Sequence, residues 1–69
     1  MVNVVVNGEA RALAAERPTV ADLVGELGLA GQRVAVEVNR RLVTRATWVE
    51  AELADGDVVE IVQFVGGGS

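Results

Sequence analysis

The sequence predicts an α+β fold, a mixed sheet of four to five strands with one main helix packed on one face. Three observations lead there. Valine leads an apolar set whose only aromatics are Trp48 and Phe64, and a β-branched side chain is stiff at χ1 and packs well on a pleated surface. One segment, Val20 to Leu27, repeats its apolar residues at helical spacing. The first and last strand-like runs lie too far apart in the 69 residues for a tight turn. They can pair only side by side, as a parallel central pair with the helix crossing between them.

The chain begins as a hairpin. Asn7-Gly8 separates Val2-Asn3-Val4-Val5-Val6 from Glu9-Ala10-Arg11-Ala12-Leu13, and Asn-Gly readily adopts the two positive-φ conformations of a type I′ turn. The helix follows with both ends marked. Thr19 is a good N-cap, and Asp22 three residues later makes a variant of the capping box that also sets negative charge at the positive end of the helix dipole. Val20, Leu23, Val24 and Leu27 fall at i, i+3, i+4 and i+7 and form one apolar stripe. Gly28 supplies the left-handed C′ position, and Leu29 folds back on the last turn as in a Schellman motif.

After the loop Ala30-Gly31-Gln32-Arg33, the run Val34-Ala35-Val36-Glu37-Val38-Asn39 alternates, with Val34, Val36 and Val38 on one face of a half-buried strand. Asn39-Arg40-Arg41 turns the chain into a short strand around Leu42-Val43. Thr47 is expected to cap a brief helical turn carrying Trp48, Val49 and Leu53. Asp55-Gly56-Asp57 forms a turn into the last strand, Val58 to Val65, and the chain closes on Gly66-Gly67-Gly68-Ser69. Hairpin, helix, strand, short strand, helical turn and final strand, in that order, make the β-grasp or ubiquitin-like arrangement. We expect one domain over residues 1–65 and a flexible glycine tail over 66–69. A domain this small buries only about 60% of the surface its unfolded chain exposes, so nearly every apolar residue serves the core and little remains to enclose an active site.

Six arginines against ten acids give a net charge of −4, and the arginines are scattered apart from Arg40-Arg41. Nucleic acid is therefore not an expected partner, because its phosphates require clustered cations; a basic protein surface is. The absence of cysteine excludes a disulfide, thiolate catalysis and a Cys-based metal site. No apolar run reaches the roughly 18–20 residues that span a bilayer, and the N-terminus lacks the pattern of a signal peptide. A cytoplasmic location without a membrane partner is the expectation. Histidine, lysine and tyrosine are missing as well, which removes the usual general bases and most nucleophiles. We expect no enzyme, no catalytic residue, no bound cofactor and no metal.

The pieces Val6-Asn7-Gly8-Glu9, Thr19-Val20-Ala21-Asp22-Leu23, Leu27-Gly28-Leu29, Val34-Ala35-Val36-Glu37-Val38-Asn39, Trp48 and Asp55-Gly56-Asp57-Val58-Val59-Glu60-Ile61-Val62, running to Val65-Gly66-Gly67-Gly68, stand in a specific order. In that order they resemble the ThiS family, the sulfur carriers of thiamine biosynthesis, across essentially the whole chain. The resemblance implies that a ThiF-like adenylyltransferase uses ATP and magnesium to convert the terminal glycine carboxylate to an acyl-adenylate. It further implies that sulfur from a cysteine desulfurase or other donor replaces the adenylate, and that thiazole synthase consumes the resulting thiocarboxylate. Gly66, Gly67 and Gly68 would be the activated tail. Glycine suits that task on physical grounds, since it has no Cβ to jam a narrow channel, at an entropy cost when the tail docks. Ser69 departs from the family's glycine ending. It is an expression remnant, a residue trimmed before activation, or an ending the pattern does not cover.

In the last strand Glu60 is expected at solvent with Val59 and Ile61 toward the helix, so Val58, Val62 and Phe64 share the Glu60 face by alternation. If that face is open, these residues form an apolar partner surface leading to the tail; in the other reading the Trp48 segment covers Phe64. Trp48 reads as a core or rim anchor rather than a ligand platform, and Asp55 and Asp57 as a β-turn rather than a cation site. Arg40-Arg41 reads as a solvated turn, and the glycine run has a linker as its plainer reading. Two other functions fit the pattern: a carrier for molybdopterin or tRNA thiolation, which shares the diglycine end, and a β-grasp binding module whose tail is incidental.

Overall fold

The computed structural model describes residues 1–64. Asn7 and Gly8 both hold positive φ, 49° and 85°, and fold strand β1 (Val2–Val6) back on β2 (Glu9–Leu13), with Val6 opposite Glu9. Helix α1 (Val20–Glu26) opens on Thr19. The Thr19 hydroxyl accepts from the Asp22 N–H at 3.2 Å and the Asp22 carboxylate accepts from the Thr19 N–H at 2.9 Å, so the capping box is closed. At the other end Gly28 sits at φ 75°. Its N–H donates to Gly25 O and the Leu29 N–H donates to Val24 O, both at 3.0 Å, the two bonds of a Schellman motif. A helix of seven residues does not persist alone in water; these caps and the buried Val20, Leu23 and Val24 hold it.

Strand β3 (Val34–Val38) passes through Asn39 and Arg40, at φ 52° and 70°, into β4 (Arg41–Val43). The turn is thus two residues long and Arg41 already belongs to the strand. The helical turn is a 3₁₀ segment, Arg45–Thr47, which follows Thr44 and ends at Thr47. The Thr47 hydroxyl is not the expected cap, since Thr47 N–H and Thr47 Oγ1 both donate to Thr44 O, at 2.9 and 3.0 Å, but the expected turn over Trp48 and Val49 does start at Thr47, whose carbonyl accepts from the Glu50 and Ala51 N–H groups, both at 3.0 Å. Trp48 and Leu53 enter the core as expected, whereas Val49 remains 68% exposed. Gly56 at φ 86° and the bond from Asp57 N–H to Ala54 O complete the turn before β5 (Val58–Gln63). β5 ends before Phe64 because its partner β3 begins at Val34, opposite Gln63. Residues 65–69, and with them the glycine tail, lie outside the described residues.

Among the described residues the sheet runs β2-β1-β5-β3-β4. β1 and β5 are parallel, with Val5 beside Val58 and Val6 beside Val59, and β5 is antiparallel to β3. This is the expected β-grasp arrangement. Val4, Val6, Leu13, Val36, Val59 and Ile61 from the sheet meet Val20, Leu23 and Val24 from the helix, and Trp48 and Leu53 close the core. Trp48 is buried with its Nε1–H donating to Val43 O at 2.9 Å, which satisfies its polar atom. No helix among the described residues is long and apolar enough to cross a membrane.

Candidate functional site

Alternation along β5 sends Val59 and Ile61 into the core and Val58, Glu60 and Val62 to the opposite face. That face is open. Val58, Val62 and Phe64 are 46%, 56% and 55% exposed, so the reading in which the Trp48 segment covers Phe64 does not hold; Trp48 turns into the core instead. The strand registers add neighbours that the final strand alone does not reveal. Val5 lies beside Val58 and Ala10 beside Val5, Ala35 lies opposite Val62, Glu37 opposite Glu60, and Leu42 opposite Glu37.

Two asparagines outside the strands fix β5 in this position. Asn39 Oδ1 accepts from the Val58 N–H at 2.9 Å while its Nδ2 donates to Asp57 Oδ1 at 3.0 Å. Asn7 Oδ1 accepts from the Ile61 N–H at 2.8 Å and its Nδ2 donates to Ile61 O at 3.1 Å. Since β1 ends at Val6, the Asn7 amide stands in for one more residue of parallel strand. Asp55 and Asp57 are occupied as turn acceptors, from the Asn3 N–H at 2.7 Å and the Ala54 N–H at 2.8 Å. No cluster of three potential metal ligands occurs among the described residues.

Where the chain leaves the sheet, the Phe64 N–H donates to Arg33 O at 2.9 Å. The loop carrying Arg33 is itself held by Arg45, whose guanidinium lies 4.5 Å from the centre of the Trp48 ring. Its Nη2 donates to Gln32 O at 2.7 Å and its Nη1 to Ala30 O at 3.3 Å. Arg45 thereby positions the exit of the last strand. Sequence reasoning assigns it no role, because one arginine after a short strand carries no local signal. Arg40 lines an open depression of about 370 Å³ with Asn39, Val58 and Glu60. Among the described residues the single ion pair is the exposed Arg17–Glu52, at 3.0 Å.

No polar or charged side chain is buried among the described residues. The arrangement offers a surface, the outer face of β5 with Val58 and Val62 exposed on it. Of the predicted surface residues, Val58 and Val62 are exposed on this face on either side of Glu60, while Phe64, also exposed, lies past the end of β5 beside Arg33, Val34 and Arg45; the predicted tail Gly66, Gly67 and Gly68 lies beyond the described residues.

A model of the ThiS family matches residues 4–68. The chain is 44% identical over 68 residues to a thiazole synthase of Paramagnetospirillum magneticum, an alignment covering 99% of this chain and 21% of that protein. It thus spans about a fifth of that relative's length. It is 44% identical over 50 residues to the sulfur carrier protein ThiS of Bacillus subtilis, covering 72% of this chain and 76% of that one. The crystal structure of a thiamine biosynthesis protein (ThiS) from Geobacter metallireducens superposes with a TM-score of 0.81 at 35% identity, covering 97% of this chain and all of the other.

Proposed function

This chain belongs to the ThiS family, and from that premise we propose that it is a sulfur carrier protein. In this reading its C-terminal glycine is adenylated and converted to a thiocarboxylate that donates sulfur for thiazole formation in thiamine biosynthesis. The observation that carries the reading is the placement of β5. It is the middle strand of the sheet, its outer face is apolar and open at Val58 and Val62, and its sequence runs on through Phe64 to Gly66-Gly67-Gly68. A folded unit over residues 1–65 then presents a slender acyl end beside a surface that a partner can hold.

The chemistry resides in the partners. Hydrolysis of the Gly68–Ser69 peptide bond first frees the Gly68 carboxylate; one of its oxygens then attacks the α-phosphorus of ATP in a ThiF-like adenylyltransferase, with magnesium on the phosphates, and pyrophosphate leaves. The persulfide sulfur delivered from a cysteine desulfurase, or from another donor of the same kind, then attacks the acyl carbon and expels AMP, and a thiol reduces the resulting acyl disulfide to release the thiocarboxylate. Thiazole synthase takes the sulfur from the thiocarboxylate. The thiazole synthase relative supports this last partner, since a segment like this chain occurs within one polypeptide of that name. The ATP requirement suits the cytoplasm.

The reading is tested with a chain that ends at Gly68, incubated with a ThiF-like adenylyltransferase, ATP and magnesium. We expect pyrophosphate release that depends on the chain, and, with a sulfur donor added, a product in which one terminal oxygen is replaced by sulfur on mass spectrometry. Pyrophosphate release indifferent to this chain, or to its ending in glycine, would overturn it.

A further inference from the structure

The open face of the sheet carries two glutamates set against each other. β3 and β5 are registered so that Glu37 lies directly opposite Glu60. Both are exposed, and neither has an ion-pair partner among the described residues. Like charges directly opposite each other across a strand pair destabilise it, so this arrangement works against the sheet that holds it. Its neighbours along and across the strands are apolar, with Asn39 and Arg40 at one end of the face. Val58 and Val62 flank Glu60 along the same face of β5, Ala35 lies opposite Val62, and Leu42 of β4 lies opposite Glu37 on the outer side. Val58, Val62 and Leu42 are each close to half exposed or more.

That combination defines the occupant. An apolar face interrupted by two unpaired carboxylates is complemented by apolar side chains surrounding one cationic group that reaches both acids. A guanidinium fits, with five N–H donors in a planar fork and weaker hydration than an ammonium. A second copy of the chain fits poorly, because a two-fold axis through this face would set the acids of one copy against those of the other, on chains that each carry a net charge of −4. Arg40, at the end of the face beside Asn39, Val58 and Glu60, forms no ion pair with Glu60. Two carboxylates alone make no cation cluster.

We infer that the open sheet face docks a basic protein surface through Glu37 and Glu60, which together receive one arginine side chain of the partner inside an apolar ring formed by Val58, Val62, Ala35 and Leu42. The inference rests on the carrier reading and adds which residues select the activating partner. The apolar ring supplies contact area, while the acid pair supplies orientation and the rate of encounter.

The test measures binding of the chain to the ThiF-like adenylyltransferase of the same organism by calorimetry at low and high salt. Glu37→Gln, Glu60→Gln and the double variant are compared with the wild type, alongside their thermal midpoints. We expect each single variant to bind about tenfold more weakly or worse, with a flatter salt dependence, while its thermal midpoint stays level or rises because the repulsion is relieved. Unchanged affinity in the double variant overturns the inference and leaves the carrier reading intact, provided pyrophosphate release continues. Weaker binding accompanied by a lowered thermal midpoint in both single variants also overturns it, since the acids would then be supporting the sheet. A wild-type chain that neither binds nor supports pyrophosphate release removes both readings together.

Discussion

Asn7 stands at φ 49°, a conformation asparagine tolerates better than most residues, and its amide meets Ile61 at both backbone atoms. Asn7→Asp keeps the acceptor for the Ile61 N–H but sets an oxygen against Ile61 O, where a donor had been. We expect a loss of about 1–3 kcal/mol, read as a lower urea midpoint with an unchanged m-value. The turn at Asn7-Gly8 is legible in the sequence because turn chemistry is local. That the same amide reaches a residue 54 positions away is not, since no local pattern names a parallel partner. Glu37 and Glu60 illustrate the same boundary. Alternation sends each to the outer face, but their opposition exists only once β3 and β5 are registered. Arg45 is illegible for a related reason, as its stacking on Trp48 and its bonds to Ala30 and Gln32 are tertiary contacts.

At the scale of elements, α1 shows how a short segment is specified by its ends. Both caps are legible in the residue order alone, because Thr19, Asp22, Gly28 and Leu29 lie within one turn of the bonds they make. Thr19→Val removes the side-chain acceptor for Asp22 N–H and is expected to cost about 1 kcal/mol. Gly28→Ala puts a Cβ on a residue at φ 75° and costs about 1–2 kcal/mol. The two sites share no partner, so their effects should add in the double variant to within about 0.5 kcal/mol, as chemical denaturation of the four chains would check. A clear excess over the sum would mean that the helix unravels as a unit when both ends are loosened. The 3₁₀ turn comes before the turn at Thr47 that the sequence suggests, and it is not legible because three residues are too few to display a period. Only the competition for Thr44 O decides where it closes.

For the whole molecule, the order of the strands follows from a constraint that the sequence does display: two distant strand-like runs with one helix between them. What it does not display is how unevenly the sheet is protected. β5 has strands on both sides and packs Val59 and Ile61 into the core, whereas β2 and β4 are edges. We therefore expect amide hydrogen exchange to be slowest in β5 and its flanks at Val4 and Val36, and faster by orders of magnitude in β4. Equal protection throughout would contradict this and point to exchange through global opening alone. The parallel pairing of β1 with β5 has a mechanical consequence too. The start of β1 and the end of β5 lie at opposite ends of the pair, so a load applied between them shears every bond of that seam at once instead of unzipping one at a time. A pull on the end of β5 while β1 is held would therefore meet a stiff handle, and the folded body would move as one piece.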